Sequence, residues 1–372
     1  MSECAGSQSN GPLTGVKVLE FSALGPVPFC AMLLADMGAD VVHIARPGSA
    51  PDLRRQVMLR GRRILSLDLK READNALARQ LAGRADVLLE GGRPGVMERL
   101  GLGPQTCLQL NPRLVYGRMT GWGQTGPLAP TAGHDINFIA LSGALHAIGS
   151  AGSGPVPPLN LLGDYGGGAM FLAFGVLCGL LEARASGLGQ VVDAAMVDGA
   201  AALMAQYCGW LAQGEWSNQR GANLLDGGAP WYATYETSDG KYVALGAIEE
   251  KFWLELLKRL GIPPDTLPPR DRREDWGLIR DSLAGALRQR TREEWMREFR
   301  DSDGCLTPVL DLSEAPYHEH LAARGSFTQV DGRVQPGLAP RFSRTPGRIR
   351  ATTTTGDTAG SVLQEWGGSD AP

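Results

Sequence analysis

The first 123 residues alternate between short apolar runs that are typical of strands and amphipathic segments that are typical of helices. The strand-like runs cover 15–22, 39–48, 62–70, 85–95 and 112–123, and the helix-like segments cover 28–38 and 71–83. Consecutive strands that are joined through helices form parallel sheets with the helices packed on the faces. The alternation therefore predicts an α/β fold built on a doubly wound parallel sheet.

A second pattern begins near Gly227. The stretch 227–262 predicts a β-hairpin, with Ser-Asp-Gly at its turn, followed by a helix, and 271–305 predicts two charged amphipathic helices. We interpret this region as a smaller α+β domain. The polar, Gly- and Pro-rich chain from Val330 predicts a segment that returns over the surface and ends in a short helix at 356–367.

The composition argues against several classes of protein. A formal net charge of −4 does not suit a nucleic-acid-binding protein, which needs a basic face. The six cysteines form no CxxC pair, so we expect reduced thiols and no bound metal. The longest apolar run, 169–181, is shorter than the roughly 20 residues of a membrane span, and the first 11 residues lack signal-peptide features. We therefore expect a cytoplasmic protein without a membrane partner.

Arginines lie near several strand ends of the predicted sheet. Arg46 ends the second strand, Arg93 follows the fourth, and Arg60, Arg62 and Arg63 precede the third. Neither GxGxxG nor GxxxxGK[ST] follows the first strand, so a dinucleotide or P-loop site is not expected. The arginines predict a cationic rim for a ligand with several phosphates, and the alternative is that they are solvated surface residues.

His134 and Glu249 each allow a functional and a structural interpretation. His134 stands in a Gly-His-Asp-Ile-Asn turn that opens an apolar helical run, which Asp135 or Asn137 is placed to cap. It is either a residue that carries chemistry or a turn histidine bonded to backbone. Glu249 lies between the predicted hairpin and the next helix, and it is either functional or a first-turn glutamate that the helix dipole favours.

Asp164 stands one residue before Tyr165 and three glycines, 166–168, at the predicted start of another helix. Each glycine in a helix costs about 0.5–1 kcal/mol relative to alanine, so three in a first turn need a reason. We interpret them as bare backbone whose N–H groups, at Gly166 and Gly167, stabilise negative charge that develops on a substrate. Asp164 is then a base or a nucleophile, and the alternative is a helix N-cap.

Six blocks of the chain, spread from about 13 to 367, resemble the family III CoA-transferases and, within them, the racemases of 2-methylacyl-CoA thioesters. The blocks are VLEFSALGPVPFCAMLLADMGADVVHIARPG, GHDIN, PLNLLGDYGGGAMFLAFGVLCGLLEA, GQVVDAAMVDGA, LLDGGAPWYATYETSDGKYVALGAIE and DGCLTPVL. The resemblance implies a Rossmann-like large domain built from both chain ends, plus a small α+β domain. It also implies an interlocked homodimer, with the acyl-CoA site between the large domain of one subunit and the small domain of its partner.

On that basis we expect a large domain over 1–195, a linker helix region over 196–226, a small domain over 227–318, and a return linker with the last part of the large domain over 319–372. By resemblance, His134 and Asp164 match catalytic residues on opposite sides of the substrate α-carbon, and Glu249 matches a glutamate that pairs with the histidine. The residues that match CoA-binding segments are Arg46, Leu67, Asp68, Leu69, Lys70, Gly91, Gly92, Arg93, Pro94, Gly95, Val96, Gly133, Asp135, Ile136, Asn137 and Phe138.

The implied reaction is epimerisation of a 2-methylacyl-CoA through an enolate, without a metal or redox cofactor. One residue removes the α-proton and the other returns a proton from the opposite face. The alternative keeps the fold, with Asp164 attacking the thioester and passing CoA between two carboxylic acids. His134 favours the racemase, because a transferase needs no second base across the α-carbon. A third hypothesis is an acyl-CoA-binding protein without turnover.

Overall fold

The computed structural model describes residues 11–48, 57–330, 332–353 and 357–367. The chain divides into a larger unit, residues 1–142, 159–203 and 318–372, and a smaller unit, residues 143–158 and 204–317. Two expected boundaries change. The segment 143–158 belongs to the smaller unit, and the expected linker region 196–226 divides after Leu203 between the two units. The N-terminal segment on which the signal-peptide expectation rested lies almost wholly outside the described residues.

Strands and helices are numbered in chain order. The strands are β1 (Lys17–Phe21), β2 (Asp40–Ala45), β3 (Arg62–Ser66), β4 (Val87–Glu90), β5 (Val115–Thr120), β6 (Val191–Ala195), β7 (Tyr232–Glu236), β8 (Tyr242–Gly246), β9 (Leu306–Pro308), β10 (Phe327–Val330) and β11 (Arg333–Pro336). The helices are α1 (Pro26–Asp36), α2 (Glu72–Ala82), α3 (Val96–Arg99), α4 (Pro104–Leu110), α5 (Asp135–Leu141), α6 (Ala144–Ala147), α7 (Met170–Ser186), α8 (Met196–Leu203), α9 (Ala205–Gln213), α10 (Glu250–Leu260), α11 (Trp276–Leu287), α12 (Arg292–Glu298), α13 (Glu319–Ala323) and α14 (Ala359–Gly367). A π-helical segment, Leu161–Ala169, runs directly into α7. Short 3₁₀ turns lie at Val57–Leu59, Pro264–Thr266, Arg273–Asp275 and Ala315–Tyr317.

The larger unit is built on one parallel sheet. Its strands follow the order β3-β2-β1-β4-β5-β6, and all neighbours are parallel. The predicted α/β class and parallel sheet are therefore confirmed. The strand order reverses between β1 and β4, and ligands of such sheets bind at the carboxyl edge beside this switch point.

Both faces of this sheet are buried. One core layer packs Val18 and Val115 of the strands against α1 and α7. The other packs Leu19 and Leu88 against α2 and α14. Burial of one such side chain contributes about 1.5–3 kcal/mol, so covering the second face with α14 is a large gain. The larger unit thus uses both ends of the chain, as the resemblance implied.

Arg60 ties the C-terminal return to the first helix. Its guanidinium donates to both carboxylate oxygens of Asp36, at 3.0 and 2.6 Å. It also donates to Gln335 Oε1 at 3.0 Å and to the Pro336 carbonyl at 2.7 Å. The three side chains are buried, and buried charge persists only when it is paired and hydrogen-bonded. Arg60 therefore fixes where the β10–β11 hairpin docks.

Three of the five arginines do not form the predicted cationic rim. Arg60 and Arg62 are buried, and Arg62 Nε donates to Glu20 Oε2 at 3.0 Å. Arg63 pairs with Asp357 at 2.7 Å. Arg62 and Arg63 are the first two residues of β3, and Arg60 precedes them. All three therefore lie at the amino edge of the sheet, opposite the edge where ligands bind. Their predicted contact with phosphates is wrong, because they hold the fold together instead.

The glycines after Asp164 serve helix packing. The π-helical segment begins at Leu161, so 166–168 lie in its body rather than in a first turn. Helix α8 crosses the segment so closely that a Cβ on Gly199 would lie 1.8 Å from the carbonyl oxygen of Gly167. Only bare backbone permits this approach. The predicted helix start is wrong, and the close approach that the glycines permit is that of another helix.

The helical run Leu161–Ser186 is longer than the apolar run 169–181, which was expected to be too short to span a membrane. It spans 26 residues with a mean hydropathy of 1.6, which is long and apolar enough to cross a bilayer. Half of its most apolar 18-residue stretch is buried inside the protein. The core helix of a globular protein gives the same length and composition, so this run is weak evidence for insertion into a membrane.

The smaller unit has a hydrophobic core of its own. Strands β7, β8 and β9 form an antiparallel sheet, and the predicted hairpin is confirmed as β7 and β8. Helix α10 follows the hairpin, and 271–305 contains α11 and α12, as predicted. The core includes Trp231, Trp253, Leu256, Ile279 and Trp295. A large aromatic share gives this small unit much buried area for its length.

We predict that Gly199→Ala lowers the stability of the larger unit. The added methyl group would overlap the Gly167 backbone, and overpacking of this kind costs about 1–3 kcal/mol. The matched control is Gly285→Ala in α11, where a Cβ meets nothing within 4 Å. That change should be neutral or stabilise by up to about 1 kcal/mol through helix propensity. Thermal unfolding measures both, and equal transition temperatures for the two variants would contradict the packing role.

Candidate active site

A cavity of about 270 Å³ lies in the larger unit beside the switch point of the sheet. Its walls come from the loops that follow β1, β4 and β5 and from the start of α5. The predicted site residues in its lining are His134 together with Gly91, Gly92, Arg93, Pro94, Gly133 and Phe138. Leu24 and Trp122, which no sequence argument identified, also line it. The cavity therefore stands where a parallel sheet places its ligands.

His134 is held at the cavity by the start of α5. It occupies the N-cap position with extended backbone, φ −130° and ψ 171°. Its backbone N–H donates to Asn137 Oδ1 at 3.0 Å, so Asn137, rather than Asp135, supplies the predicted cap. Phe138, one turn into the helix, packs edge-on against Trp122 with ring centroids 4.7 Å apart. The imidazole of His134 is exposed.

Asp135 links the histidine turn to Asp164. Its Oδ1 accepts the backbone N–H of Asp164 at 2.6 Å, and a Cβ on Gly163 would lie 2.4 Å from that same oxygen. The side chain is only 8% exposed, and its Oδ2 has no hydrogen-bond partner among the described residues. Burial raises the pKa of Asp135, while the Asp164 N–H acts in the opposite direction. The Asp135 side chain therefore holds the two candidate catalytic segments together, and its expected contact with CoA stays a prediction.

The carboxylate of Asp164 lies beside the loop that follows β1. Asn160 Nδ2 donates to Asp164 Oδ2 at 3.0 Å. A Cβ on Gly25 would lie 2.9 Å from the same oxygen, and Gly25 has φ +65°, which favours glycine. Sequence reasoning missed Asn160, although it precedes Asp164 by four residues and the i, i+4 spacing makes such residues neighbours on a helix. Asn160 orients the carboxylate without neutralising it.

Gly166 and Gly167 do not provide the predicted donors for the enolate. They lie six and seven residues beyond Asn160, which caps the π-helical segment. In a π-helix each N–H bonds to the carbonyl five residues earlier, so both N–H groups are used within the segment. The prediction assumed a helix that begins after Asp164. Because the helix begins at Leu161, the predicted enolate-stabilising role of Gly166 and Gly167 is wrong.

The loop after β4 is shaped by buried ion pairs. Glu90 Oε2 accepts the backbone N–H of Gly92 at 2.6 Å, and Glu90 Oε1 accepts from Arg118 Nε at 2.8 Å. Arg118 also donates to Glu98 at 2.7 Å. Burial raises the pKa of Glu90, and the Gly92 N–H and Arg118 oppose that rise. These contacts fix the part of the loop that lines the cavity.

The other residues expected to bind CoA lie outside this cavity lining. They are Arg46, Leu67, Asp68, Leu69, Lys70, Gly95, Val96, Asp135, Ile136 and Asn137. Arg46 follows the last residue of β2, and 67–70 follow the last residue of β3, so both are at the carboxyl edge. The strand expected to continue to Lys70 ends at Ser66. These turns therefore extend the candidate surface along the same edge of the sheet.

Glu249 belongs to the smaller unit, where it takes the N-cap position of α10. Its side chain makes no capping hydrogen bond and is exposed. Glu250, not Glu249, is the acidic residue of the first turn. The structural interpretation, a glutamate in the first turn of the helix, therefore applies to Glu250 and not to Glu249. The Glu249 carboxylate makes no capping bond to the helix.

Comparisons with known proteins place these residues in context. The model of a family described as CoA-transferase family III matches residues 13–355. The alpha-methylacyl-CoA racemase of Mus musculus is 45% identical over 358 residues, 95% of this chain and 93% of that protein. The protein of the same name from Homo sapiens is 44% identical over 360 residues, with 95% and 93% covered. The crystal structure of a CAIB/BAIF family protein from Brucella suis is 23% identical with a TM-score of 0.82, covering 96% of this chain and 100% of that one, which shows a shared fold.

We predict that Asp135→Ala lowers the free energy of unfolding by about 1–3 kcal/mol, because the N–H of Asp164 loses its buried acceptor. Asp135→Asn keeps an oxygen at the acceptor position and should lose less. Chemical denaturation of the wild type and both variants measures the difference. If the alanine and asparagine variants unfold at the same denaturant concentration as the wild type, the link between the two segments contributes nothing.

Proposed function

Because the chain belongs to CoA-transferase family III, we propose that it is an isomerase that interconverts (R)- and (S)-2-methylacyl-CoA thioesters. The mouse and human racemases that match nearly the whole chain support this reaction. The observation that carries the proposal is His134 at the cavity wall, joined through Asp135 to the backbone of Asp164. A racemase needs two acid–base groups, one for each face of the α-carbon.

In the proposed reaction His134 and Asp164 act on opposite faces of the substrate. One accepts the α-proton as the C–H bond breaks, and the electron pair moves onto the thioester oxygen to form an enolate. The other donates a proton to the α-carbon as the enolate returns to the thioester, and the roles exchange in the reverse direction. A histidine changes charge near neutral pH, so it can hold the transferred proton. These steps move only protons and electron pairs, so the proposal includes no cofactor.

We propose that CoA binds along the carboxyl edge of the sheet. The supporting residues are Arg46 after β2, Lys70 after β3 and the 91–96 loop after β4. Arginine and lysine suit the 3′-phosphate and the diphosphate of CoA, the former through its planar fork of donors. Gly91 and Gly92 of this loop line the cavity. The thioester would then reach His134 from the side of the β4 loop.

CoA transfer is the second candidate function, because the family description names it. In that reaction Asp164 attacks the thioester carbonyl, so that a mixed anhydride forms and CoA leaves as a thiolate. A second carboxylate then attacks the Asp164 carbonyl of the anhydride and displaces the first carboxylate. The CoA thiolate attacks the carbonyl of the newly bound acid, which gives the new thioester and restores Asp164. The Asn160 amide, 3.0 Å from Asp164 Oδ2, suits a nucleophile that must be oriented as well as it suits a base. His134 favours the racemase, because transfer needs no base across the α-carbon.

We propose that the active protein is an interlocked homodimer. Helix α7 buries one face and exposes a continuous apolar stripe on another, formed by Met170, Phe174, Leu177 and Leu181. Phe174 is 69% and Leu181 is 68% exposed, and large exposed apolar patches mark interaction sites. A second copy of the chain would cover this stripe. Glu249 would then act beside His134 of the partner subunit's site, as the resemblance implies.

We also propose a cytoplasmic location. The five described cysteines are free thiols, which is usual in reducing compartments; they are Cys30, Cys107, Cys178, Cys208 and Cys305. The net charge of −4 argues against a nucleic-acid partner, so acyl-CoA and a second copy of the chain are the expected partners.

We predict that His134→Ala and Asp164→Ala each lower epimerisation of a single 2-methylacyl-CoA epimer by about 10²–10⁴-fold, because each removes the acid or base of one face. In deuterated water the two variants should still exchange the α-proton, each with a preference for a different epimer. Loss of optical purity and deuterium uptake, followed together, measure both effects. The transferase alternative gives a different pattern, with CoA transfer lost in the aspartate variant and retained in the histidine variant. If both variants keep more than about a tenth of the wild-type rate of epimerisation, a far smaller loss than this range, the assignment of His134 and Asp164 as the two acid–base groups is wrong.

We predict that the double variant Phe174→Glu, Leu181→Glu is monomeric and inactive, because two charges replace the exposed apolar stripe of α7. Sedimentation velocity at the assay concentration measures the assembly. The matched control is Leu110→Glu on α4, where an exposed leucine lies away from the stripe and the change should leave the dimer intact. A wild-type protein that sediments as a fully active monomer would contradict the dimer proposal.

A further inference from the structure

We propose that Arg270 is a positioning residue for Glu249. This inference rests on the proposed function, in which Glu249 acts beside the catalytic histidine. Arg270 lies in the irregular chain between the Pro264–Thr266 turn and α11. Its Nη1 donates to the carbonyl of Ile248 at 2.8 Å and to that of Ala247 at 3.3 Å. Its Nη2 pairs with Glu250 Oε2 at 2.5 Å. One guanidinium therefore holds the residues on both sides of Glu249.

The guanidinium is itself held in place by tryptophans. It lies 5.0 Å from the centroid of the Trp231 ring and 5.3 Å from that of Trp253. Trp276 Nε1 donates to the Arg270 carbonyl at 2.8 Å, and the Trp276 ring packs 5.3 Å from Trp231. The Arg270 side chain is only 19% exposed. An arginine between aromatic rings is a rigid support, because the cation–π contacts and the fork of donors fix its plane.

The position of Glu249 departs from what a helix start favours. Ser, Thr, Asp and Asn are preferred at an N-cap because their side chains accept a backbone N–H. Glu249 has the N-cap backbone, φ −73° and ψ 147°, and its side chain makes no such bond. The helix gives up a capping interaction of about 1 kcal/mol at this residue. A local rule broken in a tightly held turn indicates a residue kept for function.

Arg270 contacts the residues on either side of Glu249 but not the Glu249 carboxylate. Arg270 donates to the carbonyls before Glu249 and pairs with the carboxylate after it. Among the residues that the structure describes, no ion pair or hydrogen bond engages the Glu249 carboxylate within the smaller unit. The turn is fixed while its central carboxylate stays available to a partner outside. Small displacements of a group that acts on a catalytic residue cost up to about 10²-fold in rate, so the support of the turn affects turnover.

The test compares epimerisation by Arg270→Gln, Glu249→Gln and the double variant. We expect Arg270→Gln to lower kcat by about 10–100-fold with KM little changed, and Arg270→Lys to recover only part of this, since lysine cannot make the forked contacts. In the Glu249→Gln background the Arg270 change should add almost nothing, because its effect passes through Glu249. Arg273→Gln is the matched control: Arg273 contacts Trp276 alone among these rings and should leave kcat unchanged.

Hydrogen exchange of the 247–252 amides gives a readout that does not depend on activity. We expect faster exchange in Arg270→Gln and no change in Arg273→Gln. Unchanged exchange, or losses that multiply in the double variant, would overturn the positioning role. If Glu249→Gln retains full activity while Arg270→Gln still loosens the turn, the role of Glu249 in the proposed function fails and the support by Arg270 stands only as structure.

Discussion

The position of Asp164 depends on backbone surfaces that carry no side chain. A Cβ on Gly163 would lie 2.4 Å from Asp135 Oδ1, and a Cβ on Gly199 would lie 1.8 Å from the Gly167 carbonyl. Close approach at these two points lets the π-helical segment contact α1, α5 and α8 at once. The contact between Gly199 and Gly167 joins two main chains, so neither side can relax by changing a rotamer. The candidate base therefore stands on one of the most constrained parts of the larger unit.

Much of the fold could be predicted because the sheet is buried on both faces. The apolar runs that become β1 to β5 differ sharply from the amphipathic helices between them. Strand β6, Val-Val-Asp-Ala-Ala, is partly exposed and carries no such contrast, and the residues alone did not indicate it. The arginines before β3 were misplaced because spacing along the chain does not show which guanidinium finds a buried carboxylate.

The candidate site was predicted in part, for reasons that differ from residue to residue. His134 was found from its turn, and the structure puts it at the cavity. The glycines after Asp164 indicate that something comes close to the backbone, but their pattern does not tell a ligand from a helix. Asn160 could have been found from its spacing of four residues from Asp164, but the sequence predicts a helix that begins only after Asp164, whereas the helical segment begins at Leu161. Arg270 could not be found, because the sequence does not show that its guanidinium returns to the carbonyl oxygens of Ala247 and Ile248, and every residue has such an oxygen.

The larger unit is completed by residues 318–372, which follow the whole of the smaller unit in the chain. Buried Arg60 meets Gln335, β3 bridges to Thr353, and α14 covers a face of the sheet whose first five strands end by Thr120. Until those segments emerge, a nascent chain exposes an apolar face of the sheet, and exposed hydrophobic surface of this kind is prone to aggregation. Residues 204–317, in contrast, form a core from chain that is nearly contiguous. A chain that stops before residue 318 would therefore contain a folded smaller unit attached to an aggregation-prone remainder.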